Sequence, residues 1–115
     1  MKERFSKLLC LAEAQLRLHP GAAQVVAVET VSGGIRWFAN SLDPETEDRF
    51  VQSLLAEHAA VALLVCIWSD GSLDLPSMHL RRRLLELDPE NGHALLLLQS
   101  DSGPITRTIG WSVSK

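Results

Sequence analysis

Only two cysteines, Cys10 and Cys66, occur in the 115 residues. Both sit inside apolar patterns, so no disulfide framework is expected and a reducing, cytoplasmic setting fits them. The longest apolar run, Val61 to Trp68, is eight residues, far short of the roughly 20 that a membrane span requires. Met1-Lys2-Glu3-Arg4 leads into an amphipathic pattern that carries acid, unlike a signal peptide. There is no excess of one charge either. The formal net charge is −3, which gives no global field to hold nucleic acid, so a nucleic-acid role would need a local basic patch. Repeats, linkers and low-complexity segments are missing, as is any intact catalytic or metal motif. What remains is ordinary globular composition, 46% hydrophobic and 22% charged, and a length that suits a single domain over residues 1–115.

The chain is organised around Val61 to Gln99. Val61-Ala62-Leu63-Leu64-Val65-Cys66-Ile67-Trp68 has no polar alternation, as expected of a strand buried on both faces. A turn at Ser69–Ser72, a helix from about Pro76 to Leu87 and a second apolar run at Ala94–Leu98 complete a parallel β-α-β unit. Upstream, Phe5, Leu8, Leu9, Ala12 and Leu16 share one helical face, and His19-Pro20-Gly21 ends that helix. Gln24–Thr30 and Ile35–Asn40 predict an antiparallel hairpin around Ser32-Gly33-Gly34. The next helix opens at Asp43-Pro44, with Glu45, Glu47 and Asp48 read as partners of its dipole and Phe50, Val51, Leu54, Leu55 and His58 as its apolar side. Asp88-Pro89 through Gly92 stops the third helix. After Asp101-Ser102-Gly103-Pro104, the alternation of Ile105, Arg107, Ile109 and Trp111 predicts a final antiparallel edge strand. The fold class is therefore α/β, in the order α-β-β-α-β-α-β-β, with a mixed five-stranded sheet and helices on both faces.

That order resembles the cytidine deaminase-like fold. Gly33-Gly34-Ile35-Arg36-Trp37-Phe38-Ala39-Asn40 is similar to the family's second strand running into an Asn-containing loop, and Ser69-Asp70-Gly71 through Pro76 is similar to its third-helix entry. The resemblance implies a zinc site built from a His or Cys before Ala-Glu at the second helix and Pro-Cys-x-x-Cys at the third, with the metal activating a water and the Glu moving protons. Here the second helix starts Pro44-Glu45-Thr46-Glu47 and the third Pro76-Ser77-Met78-His79-Leu80, with Ser77 and Leu80 where thiolates would stand. No zinc, no other cofactor, no catalytic residue and no deamination are expected.

Three candidate surfaces remain. Leu11 and Leu18 point away from the core stripe of the first helix and are expected to contact a protein partner or a second copy of the chain. Arg82 and Arg83, in the only basic run, share a helix side with His79 and Glu86. They offer a docking patch for an acidic partner, and Arg82 is set to pair with Glu86 four residues on. RNA is not expected, because no aromatic residue is interleaved with the arginines. Ser69, Asp70 and Ser72 follow the carboxyl end of the central strand, where open α/β sheets place ligand crevices, and His79 begins the next helix. The leading expectation is a non-catalytic domain acting by protein–protein contact as a regulatory, adaptor or immunity-type protein. The alternative is a small-molecule binder or enzyme using the Ser69–Ser72 crevice.

Overall fold

The computed structural model describes residues 2–114. Its sheet has five strands: β1 (Gln24–Thr30), β2 (Ile35–Asn40), β3 (Val61–Trp68), β4 (Leu95–Ser100) and β5 (Gly103–Thr108). Their spatial order is β2-β1-β3-β4-β5, with β3 and β4 parallel and every other neighbouring pair antiparallel. The central strand is β3, whose buried run lies between β1 and β4.

Side chains leave a strand alternately to its two faces, and two cores result. On one face α1 (Ser6–Leu18) brings Leu8 and Ala12, with Phe5 just before it, against Val25, Ala27, Leu63, Val65, Ile67 and Leu97. On the other, α2 (Pro44–Ala56) and α3 (Met78–Leu87) bring Phe50, Val51, Leu54, Leu80 and Leu84 against Val26, Val28, Leu64, Cys66, Leu96 and Leu98. Phe38 and Phe50 extend this second core, their ring centroids 4.6 Å apart.

Caps set the helix starts. Asp43 accepts from Glu45 N at 3.1 Å and Pro44 takes the first helical position, so α2 begins where its orphan donors are met. Ser77 accepts from Leu80 N at 3.1 Å, and α3 therefore starts at Met78, two residues later than the Pro76 expectation.

Three expectations are corrected. The edge strand stops at Thr108, whose hydroxyl accepts from Trp111 N at 3.1 Å and caps a short helix, α4 (Ile109–Val113). Ile109 is thus buried as a helical residue and Trp111 projects outward. The Pro89–His93 stop is itself a 3-10 turn, and its fully buried Asn91 accepts from Val61 N and donates to Leu84 O, both at 2.8 Å. α4 lies so close to that turn that a Cβ on Gly110 would stand 3.2 Å from Gly92 O. His58 falls beyond α2 in the left-handed region and is exposed, as is Cys10, whereas Cys66 is buried.

Candidate functional site

The amino ends of α2 and α3 meet over the end of the sheet where β2 and β3 finish. Glu47, in the first turns of α2, is only 1% exposed. Its Oε2 accepts from Asn40 Nδ2 at 3.1 Å and from Ser77 Oγ at 2.7 Å. Asn40 Oδ1 in turn accepts from Asp43 N at 3.0 Å, and Ser77 Oγ accepts from Leu80 N. One carboxylate therefore ties the end of β2 to the first turns of both helices. That place suits a negative group, because the unpaired N–H groups of two helix starts converge there.

Around this bridge lie two further ties. Asp48 accepts from His79 Nε2 at 2.8 Å and from Arg83 Nε at 3.2 Å, and Arg83 also reaches Glu86 at 2.8 Å. The hydrogen bond from His79 holds the Asp48 carboxyl below its ordinary value, with Arg83 adding to the effect. Arg81 is almost buried and donates to Pro76 O at 2.9 Å and Ser112 O at 2.8 Å, joining α3 to α4. Burial lowers its pKa from the ordinary arginine value.

The chemistry of these donors does not fit a catalytic zinc. The metal wants thiolate or imidazole at such a site, and the bridge supplies one carboxylate, an amide and a hydroxyl already committed to one another. Among the described residues, no group of three or more His, Cys, Asp and Glu could hold a metal ion. Cys66 lies on this face of the sheet, but burial pushes its thiol above the ordinary range.

The topology compares closely with solved structures. The cytidine deaminase of Bacillus anthracis superimposes with a TM-score of 0.69 at 10% identity, covering 93% of this chain and 84% of that one. That of Mycobacterium leprae gives 0.60 at 14% identity over 87% and 94%, and that of Mycobacterium tuberculosis 0.53 at 18% over 84% and 85%. The chain has a cytidine deaminase-like fold. At these identities the likeness is one of fold alone. No protein-family model matches the sequence, and no curated protein matches it.

Within this deaminase-like fold the candidate residues scatter. Ser72 donates to Asp70 Oδ1 from both Oγ (2.7 Å) and N (2.9 Å), which lowers the Asp70 pKa and closes the turn on itself. Ser69 is exposed, and its backbone N donates to Ala23 O. His79 does not join them: it stands on α3 and binds Asp48. Arg82 is exposed and Glu86 takes Arg83 instead, so the expected Arg82–Glu86 pair is replaced by an i,i+3 pair. Leu18 is 69% exposed, whereas Leu11 is half-buried against the α1-side core.

The sequence reading missed Glu47. Its acidic neighbours all suggested dipole partners, but Glu47 stands three, four and seven residues before Phe50, Val51 and Leu54. That spacing places it on the core stripe of α2.

No described helix is long and apolar enough to cross a membrane.

Proposed function

We propose that this is a non-deaminating domain of deaminase-like fold that works by protein contact through the α1 side of its sheet. The observation that carries the reading is uneven coverage. Strands stand about 4.8 Å apart and a helix with its side chains is about 10 Å across. One helix therefore cannot cover five strands, and α1 packs mainly over β1 and β3. Beside it, along β2, Leu18 and Trp37 remain 69% and 36% exposed, with Ile35, Ala39 and Leu11 half-buried next to them. His19 links the end of α1 to this flank, its ring 5.6 Å from that of Trp37. Apolar surface gathered in one place on a soluble domain marks an interaction site.

A second copy of the chain is the simplest occupant. Leu18, Ile35 and Trp37 carry no charge, and the intervening Arg36 turns to the opposite face, where it pairs with Glu57. Two such flanks meet without like-charge repulsion, as a two-fold contact requires. The test is Leu18→Glu, at a site exposed enough to leave the core untouched. Sedimentation over a range of concentrations should show association in the wild type and loss of it in the variant, with unchanged melting. A wild type that stays monomeric at high concentration rules out self-association through this flank. Leu11 is unsuitable for this test, because a charge there would also disturb the core.

A cavity of about 230 Å³ favours a second reading, a small-molecule site. It lies on the other flank of α1, at the carboxyl ends of β3 and β4, lined by Leu9, Glu13, Ile67, Ser72, Leu97 and Pro104 among others. A ligand there should raise the melting temperature of the wild type and not that of Leu9→Trp, which fills the space.

A further inference from the structure

Two cavities of about 220 and 180 Å³ lie side by side between α2 and α3 and share Leu55 and Leu87. The first is bounded by Val51, Gln52 and Leu55 on α2 and by Arg83, Glu86 and Leu87 on α3. In the second, Leu54, Leu55 and His58 face Leu87 and Asp88. The Glu47–Ser77 bond and those from His79 and Arg83 to Asp48 hold the amino halves of the two helices together. Among the described residues no hydrogen bond joins their carboxyl halves, and the groove there has an apolar floor. Val51 and Leu54 are buried in that floor, and Leu55, which both cavities share, is 48% exposed.

The spacing of the cavities sets the shape that would fill them. Their α2 sides, residues 51, 52 and 55 and then 54, 55 and 58, differ by three residues, about 4.5 Å along the helix. Side chains three or four residues apart on one helix face stand about 5–6 Å apart. A third helix laid along the groove would therefore seat one apolar side chain in each cavity. Charge narrows the choice. Both helices end at this groove, neither has a basic residue in its last turn, and a helix carboxyl end is the negative pole of the macrodipole. Arg83 is taken up by Asp48 and Glu86, while the Asp88 carboxylate accepts from Glu90 N and has no ion pair among the described residues. The rim is short of positive charge. A second copy has no matching helix face to offer, because Leu18, Leu55 and Trp111 are each the one large exposed apolar residue of their helices among the described residues. We propose that this groove binds a basic amphipathic helix of another protein, with two apolar residues one turn apart and lysine or arginine beside them. It is a second surface, independent of the α1-side contacts and unaffected by their failure.

The test uses the whole chain and a synthetic helical peptide of about 15 residues, a length at which an isolated helix begins to hold. The peptide carries leucine at i and i+4 on one face, with lysine and alanine elsewhere, and a twin has glutamate for every lysine. Titration followed by methyl NMR should shift the Leu55 and Leu87 signals saturably with the lysine peptide. The glutamate twin should bind about tenfold more weakly, as several rim charges turn from attraction to repulsion. Leu55→Lys should abolish binding at an unchanged melting temperature, since a lysine stem can lie where the half-exposed leucine lay. Gln52→Lys, at an exposed position on the rim, should weaken binding of the lysine peptide too, and it decides the matter should Leu55→Lys fold poorly. No binding of the lysine peptide, equal binding of the two peptides, or binding that both variants leave intact overturns the proposal. So does a shift of the same methyl signals on concentrating the protein alone, which gives the groove to a second copy.

Discussion

Replacing Glu47 is the sharpest way to probe the helix-start bridge. Glu47→Gln keeps the shape and leaves one oxygen able to accept from Asn40 and Ser77, so the change is chiefly loss of the charge. Hydrogen bonds to charged groups contribute about 1.5–3 kcal/mol each and neutral ones about 0.5–1.5 kcal/mol. With two bonds to one buried oxygen, the expected loss is about 2 kcal/mol. Part of it is returned, because a buried carboxylate is itself costly to desolvate. Glu47→Ala is worse: it opens a cavity and strands Asn40 Nδ2 and Ser77 Oγ, for a loss of about 3–5 kcal/mol. Urea unfolding of wild type, Glu47→Gln, Ser77→Ala and the double variant gives a complete cycle. The 2.7 Å Ser77–Glu47 contact should appear as a coupling of about 1 kcal/mol or more. A Glu47→Gln variant as stable as the wild type, together with a coupling near zero, would falsify the claim that this carboxylate joins the two helices. In that case Glu47 would have to be sought in chemistry.

Four other outcomes follow from the packing. Asn91→Ala should cost about 2–4 kcal/mol in urea unfolding, since it orphans buried Val61 N, removes one of the two donors to Leu84 O and leaves a void. Gly110→Ala should lower the melting temperature, because the added Cβ would stand 3.2 Å from Gly92 O and backbone must yield. A thiol reagent such as dithionitrobenzoate should find one reactive thiol in the native chain and two after unfolding, and Cys10→Ser should abolish the native reaction; Cys66 is buried with its pKa raised, which suppresses the thiolate that reacts. Finally, Asp48, Glu57 and Asp70 all titrate below their ordinary values in the folded chain. Their stabilisation is therefore present above the unfolded carboxyl pKa of about 4 and is lost as pH falls through their lowered folded values. Melting curves from pH 7 downward should drop below about pH 4, less steeply in Asp48→Asn.

The parts of the fold that sequence reading captured are those where one strong local signal acts alone. The eight-residue run at Val61–Trp68 could be little else than a doubly buried strand, and Asp43-Pro44 could be little else than a helix start. The misreadings occur where two periods or two roles coincide. Ile105, Arg107, Ile109 and Trp111 alternate as a strand does, but Thr108 caps a helix midway, and the close approach of Gly110 to Gly92 comes from packing between segments. Arg81, which adjoins Arg82 and Arg83 in the basic run, turns inward to two carbonyl oxygens supplied by Pro76 and Ser112. Nothing near Arg81 in the chain announces Ser112. The same holds for Asn91, whose partners Val61 and Leu84 lie 30 and seven residues away.

The polar ties share a location, and that bears on function. Glu47 with Ser77, Asp48 with His79 and Arg83, Arg81 with Ser112, and Asn91 with Val61 all lie among α2, α3, α4 and the strand ends they cover. Each joins segments well separated in the chain by directional bonds, which specify geometry more sharply than apolar contact does. A layer fixed in this way does not need a metal to position its helix starts. Chelation should accordingly leave the melting curve unchanged. The opposite face is held by one helix through apolar packing, with Leu18 and Trp37 left outside the core. Substitutions on that flank alter what the surface can bind without touching any of the ties. If the domain acts by contact, variation in its partners would therefore be tolerated on the α1 side and resisted on the other, and a panel of surface variants scored separately for stability and for association should split along that line.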